Sequence, residues 1–375
     1  MIRLRCMMIK KNIIKYVLEF VAGLLIFIFV CLGTLIIFRE VNQKSRLGEA
    51  EPYNETEGIS ELREIELGGV SQYILIEGQS KGNEMCLFLH GGPGLSAPYG
   101  VSSRALYPEL TDSCTAVYWD QRGSGKSYQS DLDLASITYE QLSQDAIELV
   151  DYLLETFDKE KIYLIGSSWG TILGMRLAHD YPSKFHAYFG IGQVVNAKQA
   201  DHLTYDWLLN EYSTLGDEES VALLKQIGKP PYKKEKNEMI FQRLIAKSEA
   251  YIKNNDGEKG VSLLELIQNV YLSPDLTLWE VYHTLIKGPD MIQNESPLWK
   301  ETRYVNLNEE IKQIEVPVYF LQGMYDQITP NELLTPFFNT LEAPEKEIIL
   351  LEESAHYLNN NDQLKVFEFI KSKIN

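Results

Sequence analysis

The sequence predicts an α/β fold in which a mainly parallel sheet carries a helical insertion and follows a membrane-spanning helix. Three observations lead to this prediction. Short apolar runs alternate with helical periodicity along most of the 375 residues, a pattern typical of parallel sheets covered on both faces. Between about residues 195 and 310 only helical patterns occur, and residues 20–38 carry no charge. We therefore expect one large domain with a cap, tethered at its N-terminus.

The uncharged run FVAGLLIFIFVCLGTLIIF (residues 20–38) predicts a transmembrane helix. As a helix it would be about 28 Å long, close to the thickness of the hydrocarbon core of a bilayer. Basic residues are more frequent before the run than after it, so the positive-inside rule places residues 1–19 in the cytoplasm and the large C-terminal part outside it. A cleaved signal peptide is the alternative, but the run is longer than a typical signal core and no A-x-A-like site follows closely.

The next segments predict a linker and a hairpin. Residues 39–60 are polar and rich in turn-forming residues, which is typical of a linker. Leu62–Leu67 and Gln72–Glu77 alternate apolar with polar side chains on either side of Gly68-Gly69. This pattern predicts an antiparallel hairpin at one edge of the sheet.

Six further apolar runs predict the buried strands of the sheet. They are Cys86–Leu89, Ala116–Trp119, Ile162–Ile165, Ala187–Ile191, Val316–Leu321 and Glu347–Leu351. The clearest helical pattern between them is Tyr139–Phe157. The predicted domain order is therefore a core from 61 to 195, a helical cap from 196 to 309 over the ends of the strands, and the rest of the core from 310 to 375.

Charge and cysteine content exclude several classes of function. The formal net charge is −18 and the calculated pI is 4.9, so the chain would repel nucleic acids and would gain nothing from an anionic membrane surface. Four cysteines do not make a disulfide framework in a chain of this length. Cys86 and Cys114 lie at predicted strand starts, where a buried thiol is expected and a bridge between them is the alternative. No Cys/His spacing matches a zinc site, so we expect no metal.

The pentapeptide GSSWG (residues 166–170) predicts a nucleophilic serine. It lies between an apolar strand-like run, 161–165, and a helical run, 171–179. A Gly-x-Ser-x-Gly sequence in that context forms a sharp strand-to-helix turn that exposes the serine hydroxyl. The flanking glycines let the helix pass close to the strand, and the N-terminus of the helix favours a developing oxyanion. We therefore predict that Ser168 is the nucleophile.

A serine nucleophile needs a base and an acid that orients the base. Of the six histidines, His356 alone follows the last predicted strand, at the edge of the sheet where catalytic groups gather. Asp326 comes shortly after the strand Val316–Leu321, and its alternative role is an ordinary turn or helix cap. The chain order Ser168, Asp326, His356 is the order of the α/β-hydrolase triad, so we predict these three as the catalytic residues.

The oxyanion hole is predicted in the sequence HGGPG (residues 90–94), which follows the strand Cys86–Leu89. Glycines there allow backbone N–H groups to approach a substrate carbonyl, so one donor is assigned to Gly92 and the other to Trp169, the residue after the nucleophile. An ordinary strand-ending turn is the alternative. A phosphate-binding loop is disfavoured, because no Gly-Lys-Ser/Thr closes the loop and Pro93 lacks an N–H.

Three motifs, HGGPG (90–94), WDQRGSGKS (119–127) and GSSWG (166–170), together resemble the proline iminopeptidase family of α/β-hydrolases. The resemblance covers about residues 61–195 and 310–375. It implies removal of an N-terminal residue, often proline, from a peptide, with the catalytic and oxyanion residues named above. It also implies that glutamates of the cap bind the substrate's amino group. The cap has several, Glu211 and Glu280 among them, and the sequence does not determine which of them, if any, faces Ser168.

The mechanism expected from these residues is acyl transfer to Ser168 followed by hydrolysis, with no metal or organic cofactor. Two alternatives stay open. The same triad would serve an esterase or amidase for small acyl substrates, since specificity depends on the cap. A catalytically idle hydrolase fold that acts as a tethered binding protein belongs to another class, and the complete triad argues against it.

Overall fold

A computed structural model describes residues 2–55, 57–253 and 263–374 of the chain. Residues 254–262 of the predicted cap lie outside the described residues. The strands of the described part are β1 (Ile59–Leu67), β2 (Val70–Gly78), β3 (Glu84–Leu89), β4 (Cys114–Asp120), β5 (Ile162–Ser167), β6 (Phe185–Ile191), β7 (Val318–Gly323) and β8 (Lys346–Leu351).

These strands form one sheet in the order β1-β2-β4-β3-β5-β6-β7-β8. The strands of the hairpin β1–β2 are antiparallel, and β2 also pairs antiparallel with β4. All further pairs in the sheet are parallel. Gly68 and Gly69 both have positive φ, which is what a tight turn between Leu67 and Val70 requires. The predicted α/β class, the edge hairpin and the mainly parallel sheet are confirmed.

The core lies on both faces of the sheet because successive side chains of a strand point to opposite sides. Leu87 and Leu89 of β3 pack into one apolar cluster, and Cys86 and Phe88 pack into the other. This explains why the strands are continuous apolar runs in the sequence. Cys86 and Cys114 are free and buried, so the alternative of a bridge between them is not realised.

Helices cover both faces and one end of the sheet. They are α1 (Ile2–Glu55), α2 (Pro108–Thr111), α3 (Tyr139–Phe157), α4 (Gly170–Asp180), α5 (Ala197–Thr214), α6 (Glu218–Ile227), α7 (Glu235–Lys247), α8 (Leu263–Tyr271), α9 (Leu278–Tyr282), α10 (Gly288–Asp290), α11 (Leu298–Thr302), α12 (Leu307–Glu310), α13 (Asn331–Thr340) and α14 (Asn360–Lys373). The π-helical segments His283–Lys287 and Met291–Glu295 continue α9 and α10. Helix α3 coincides with the pattern Tyr139–Phe157, and the Thr138 side chain caps it by accepting from the Gln141 N–H.

The expected linker differs from the structure. Helix α1 runs without a break through the predicted membrane span and on to Glu55, so most of residues 39–60 are helical. The reason is tertiary contact: the Gln43 side chain donates to the Ser273 carbonyl, the Arg46 guanidinium donates to Asn269, and Ala50 is buried. These contacts stabilise a helix that the local sequence does not favour.

The cap described between β6 and β7 is helical, as its sequence pattern predicts. Its own apolar cluster joins α5, α6 and α7 through Leu208, Leu224 and Phe241 among others. This layer lies over the carboxyl ends of the strands, because its side chains line a cavity together with the loops that follow β3, β5 and β8. The fold therefore places a helical roof above the strand ends.

Candidate active site

Ser168 lies in a strained turn between β5 and α4. Its φ is 51°, in the left-handed region that a side chain disfavours. A Cβ on Gly166 would lie 2.7 Å from the Gly170 carbonyl oxygen, and a Cβ on Gly170 would overlap the Leu89 carbonyl. Both glycines are therefore required by close backbone packing, as the pentapeptide pattern predicts. The turn is held by the Ser168 N–H, which donates to the Ile191 carbonyl at 2.8 Å.

The structure brings the three predicted catalytic side chains together. His356, in the loop after β8, has its Nε2 atom 2.8 Å from Ser168 Oγ and its Nδ1 atom 2.8 Å from Asp326 Oδ2. The side chain of His356 is 5% exposed and that of Asp326 is 0% exposed. The hydroxyl, the imidazole and the carboxylate thus form one continuous chain of hydrogen bonds shielded from solvent.

Asp326 is fixed by four further hydrogen bonds. Its Oδ1 accepts from the backbone N–H groups of Ile328 and Thr329, both at 2.8 Å. Its Oδ2 accepts from the Thr329 hydroxyl at 2.7 Å and from Gln322 Nε2 at 2.9 Å. Donors around both oxygens hold the orientation of the carboxylate.

Sequence reasoning missed Gln322. Its side chain is buried at the end of β7, and besides Asp326 it binds the Thr329 carbonyl and accepts from the Gln193 N–H. The sequence does contain a signal for this role, because Gln322 is a single amide at the end of an otherwise apolar strand. A buried amide needs hydrogen-bond partners, which indicates a polar site nearby.

The hydrogen-bond network assigns the histidine tautomer. The carboxylate of Asp326 can only accept, so His356 Nδ1 carries the proton and donates it. The Nε2 atom is then free of a proton and accepts from the Ser168 hydroxyl. This is the arrangement that a general base requires.

The predicted oxyanion donors flank Ser168. A Cβ on Gly91 would lie 3.1 Å from Ser168 Cβ, so the glycine loop after β3 runs directly against the serine. Gly92 has a φ of +118°, which also requires glycine. Among the described residues, the backbone N–H groups of Gly92 and Trp169 have no acceptor. Both donors are therefore available to an oxygen bound beside Ser168.

His90, the first residue of the glycine loop, supports that loop. It is buried, and burial lowers its pKa to about 4. Its Nε2 accepts from the Gln121 N–H at 3.2 Å, so its Nδ1 carries the proton and donates to the Gly91 carbonyl at 2.9 Å. A neutral His90 thus ties the loop after β3 to the loop after β4.

The Asp-Gln-Arg-Gly motif after β4 is a structural cluster. The Asp120 carboxylate accepts from the backbone N–H groups of Val101 and Lys126 at 2.8 and 2.7 Å, and burial raises its pKa to about 7. Arg122 forms a bidentate pair with Asp145 of α3, both bonds being 2.8 Å long, in a buried position. These contacts fix the loops that surround the site without lining its cavity.

A cavity of about 400 Å³ lies above Ser168. Its floor includes Gly91, Gly92, Ser168 and His356, and its roof comes from the cap, including Asp201, Tyr251 and Trp299. The Tyr251 carbonyl accepts from the Tyr357 N–H at 2.8 Å, which joins the cap to the histidine loop. A smaller cavity of about 190 Å³ adjoins it and shares His356.

Among the cap residues that the structure describes, one acidic side chain, that of Asp201, lines the larger cavity. Burial, and then the charge of Glu238, raise the pKa of Asp201 to about 7, while Arg303 opposes the shift. Neither Glu211 nor Glu280 lines this cavity; Glu280 instead pairs with Lys126 at 2.6 Å. Of the cap glutamates, these two examples do not face Ser168, and the sequence could not determine this because position within the cap does not tell which helix face is turned inward.

Comparisons with known proteins find relatives that have the same fold. Residues 87–221 match the family model described as alpha/beta hydrolase fold. The chain is 31% identical over 304 residues to the Bacillus subtilis (strain 168) protein named "Probable aminopeptidase YbaC", covering 80% of this chain and 92% of that one. It is 23% identical to a proline iminopeptidase of Thermoplasma volcanium, covering 71% and 81% of the two chains.

Among solved structures, the fold resembles a proline iminopeptidase of Mycobacterium smegmatis. The TM-score is 0.58 at 16% sequence identity, covering 83% of this chain and 97% of that one. At this identity the likeness bears on the fold alone. The family match and the 31% identity to the Bacillus subtilis protein show that this chain belongs to the proline iminopeptidase-like family of α/β-hydrolases and is a hydrolase.

Proposed function

We propose that the protein is a membrane-anchored serine aminopeptidase of the proline iminopeptidase type, which releases an N-terminal residue from peptides. The observation that carries this proposal is the hydrogen-bond chain Ser168–His356–Asp326 on the floor of a cavity whose roof holds a carboxylate. The relatives named aminopeptidase and proline iminopeptidase support the same reaction class.

The proposed reaction passes through an acyl-enzyme. His356 Nε2 takes the hydroxyl proton as Ser168 Oγ bonds to the carbonyl carbon, and the tetrahedral oxyanion accepts from the Gly92 and Trp169 N–H groups. The protonated imidazole, stabilised by Asp326, gives its proton to the leaving amine as the C–N bond breaks. Water, deprotonated by the same imidazole, then cleaves the ester and restores the Ser168 hydroxyl.

Asp201 is proposed to bind the free amino group of the substrate. It lines the same cavity as Ser168, and no hydrogen bond from another described residue occupies its carboxylate. A cationic amine would supply the partner that this poorly solvated carboxylate lacks. With its amino group bound to Asp201, a peptide would present its first amide bond to Ser168 and would be cleaved after its first residue.

The anchor is proposed to be the N-terminal part of α1. This helix is long and apolar enough to cross a membrane, and the side chains described in its apolar stretch are exposed. The excess of basic residues before residue 20 supports a cytoplasmic N-terminus and a catalytic domain on the other side.

Substitution of the nucleophile tests the reaction. We expect Ser168→Ala to lower kcat/KM by about 10³-fold or more and to abolish labelling by a fluorophosphonate, without changing the melting temperature much. Ser213→Ala, on an exposed part of α5, is the matched control and should label normally. Full activity and labelling of Ser168→Ala would refute the assignment.

A substrate panel tests the specificity. Prolyl and other aminoacyl arylamides are compared with their N-acetylated forms and with short-chain aryl esters. We expect the free-amine arylamides to be the best substrates. If esters are preferred and a free amino group gives no advantage, the enzyme is an esterase or amidase of small acyl substrates.

A further inference from the structure

One helical face of the cap exposes large apolar side chains to solvent. Along the continuous helical stretch 278–295, Leu278, Trp279, Tyr282 and Ile286 point outward, and Trp279 is 66% exposed. Their spacing places them on one side of the helix, and Val281 is buried on the other. We call these four residues the outer cap face.

The outer cap face carries no free charge at its centre. Glu280 lies between Trp279 and Val281 in sequence, but its carboxylate turns away to Lys126 Nζ at 2.6 Å and to the Thr277 N–H at 2.7 Å. The ring of Trp279 stacks on that of Tyr282 with centroids 5.2 Å apart. The surface is therefore aromatic and aliphatic, a composition that soluble surfaces seldom display as a patch.

Hydrogen bonds fix the segment before this face against α1. The Tyr271 hydroxyl donates to the Leu35 carbonyl at 3.0 Å. The Arg39 guanidinium donates to the Tyr271 carbonyl at 2.8 Å and also to the Leu276 carbonyl. Residues 271–276 of the cap are thus held beside residues 35–43 of α1.

These contacts set the depth of the outer cap face relative to the proposed membrane span. Leu35 lies within the uncharged run 20–38, about 4.5 Å along the helix axis from its end. Leu278 follows Leu276 by two residues, so their Cα atoms are at most about 7 Å apart. Leu278 and Trp279 therefore lie at nearly the same height along α1 as Arg39. In the proposed orientation this is the height at which the hydrocarbon core meets the headgroups.

We propose that the outer cap face rests in the interfacial region of the lipid bilayer and holds the cap against the membrane. The inference depends on the proposed anchoring through α1. Tryptophan and tyrosine prefer this zone because their rings are apolar and their N–H or O–H groups reach water. The contact is apolar rather than electrostatic, since the chain carries a net charge of −18 and gains nothing from anionic lipids.

Site-directed spin labelling of the full chain in phosphatidylcholine nanodiscs tests this placement. The two thiols of the N-terminal segment are first removed by Cys6→Ser and Cys31→Ser, while Cys86 and Cys114 are buried. A nitroxide is then attached at Leu278→Cys. Leu215→Cys, on the cap after α5 and similarly exposed at 68%, is the aqueous control, and Ile26→Cys, within the uncharged run, is the membrane control.

We expect the label at 278 to collide more often with oxygen than with a water-soluble nickel chelate, as the label at 26 does, and the label at 215 to show the reverse. Added phosphatidylglycerol should not change the accessibility of the label at 278. Neither should 0.5 M salt, at which the Debye length is roughly 4 Å. An aqueous signal at 278 with a membrane signal at 26 overturns the inference and leaves the anchor intact. Aqueous signals at both positions overturn the anchor as well, and spin–spin broadening at 278 would indicate a second copy of the chain instead of lipid.

Discussion

Ser168 is held in a backbone conformation that its side chain disfavours, and neighbouring contacts offset the strain. The left-handed φ of 51° exposes Oγ above the end of β5. The bond from its N–H to the Ile191 carbonyl and the two flanking glycines make this conformation accessible. The local backbone geometry thus exposes the hydroxyl of Ser168, and the hydrogen bonds to Asp326 orient the carboxylate that holds His356.

The tautomer of His356 depends on Asp326, so Asp326→Asn should reduce kcat. An amide can present an N–H to Nδ1 and thereby favour the wrong tautomer, and we expect kcat to fall by about 10³- to 10⁴-fold. Steady-state kinetics with a prolyl arylamide measure the effect, and a melting curve checks the fold. Thr329→Val, which removes one of the bonds to Asp326, should cost much less. A kcat of Asp326→Asn within tenfold of wild type would contradict the role.

Asp201 predicts a pH-dependent KM for substrates with a free amine. With a pKa of about 7 its carboxylate is neutral below that pH and ionised above it, so KM should fall as pH rises from 6 to 7.5. Asp201→Asn should remove this dependence and raise KM by about 10- to 100-fold, the worth of a charge-assisted hydrogen bond.

Two controls separate amine binding by Asp201 from other effects of pH on catalysis. An N-acetylated or ester substrate lacks the cationic amine, so its KM should not respond to Asp201→Asn. Asp206→Asn alters an exposed acid on the same helix that pairs with Lys229, and it should behave as wild type. A KM that Asp201→Asn leaves unchanged for every substrate would exclude amine binding by this residue.

At the scale of elements, the buried pair Arg122–Asp145 joins three parts of the fold. Arg122 follows β4, Asp145 belongs to α3, and the Arg122 guanidinium also donates to the Gly68 carbonyl in the hairpin turn at 3.0 Å. The Gln72 side chain of β2 donates to the same carboxylate at 2.8 Å. The motif that carries much of the family resemblance is thus a junction of elements that lies outside the cavity.

Asp145→Ala should therefore destabilise the protein strongly. It would leave the Arg122 charge buried without its partner, which costs about 3–5 kcal/mol. The midpoint of urea unfolding measures this cost. Asp151→Ala, on the same helix and in an exposed pair with Lys184, is the control and should cost less than about 1 kcal/mol. Equal effects of the two substitutions would contradict the role of the buried pair.

Helix α1 shows how packing extends an element beyond its sequence signal. The polar residues after 38 would suit a flexible tether, yet Arg39, Gln43 and Arg46 each donate to the cap. Asn269, which binds Arg46, also lines the smaller cavity beside His356. This part of α1 therefore supports one wall of the active-site region.

At the scale of the whole molecule, five Lys or Arg residues precede the uncharged run of α1 and three follow it within residues 39–46. The positive-inside rule therefore supports the proposed orientation, with the catalytic domain outside the cytoplasm. A cysteine introduced by Leu215→Cys should then react with a membrane-impermeant maleimide in intact cells, in a chain that also carries Cys6→Ser and Cys31→Ser. The native Cys6, in a Cys31→Ser chain, should react only after lysis. Labelling of Cys6 but not of residue 215 in intact cells would reverse the proposed topology.

The sequence by itself determined the fold class, the hairpin, the turn at Ser168 and the candidates Asp326, His356, Gly92 and Trp169. Each of these depends on a local requirement: alternating strands and helices, glycines beside a strained turn, or a polar residue just after a strand. Such requirements leave contiguous patterns that can be recognised without knowing what packs against them.

Only the tertiary structure decided that Asp201 lines the cavity, that Gln322 binds the catalytic acid Asp326, that residues 39–55 are helical and that Cys86 and Cys114 are free thiols. These features depend on which faces meet after folding. The sequence of a helix with several acidic residues does not show which of them turns inward, and the sequence of a polar segment does not show that a cap will bind it. Both outcomes depend on residues that are distant in the sequence.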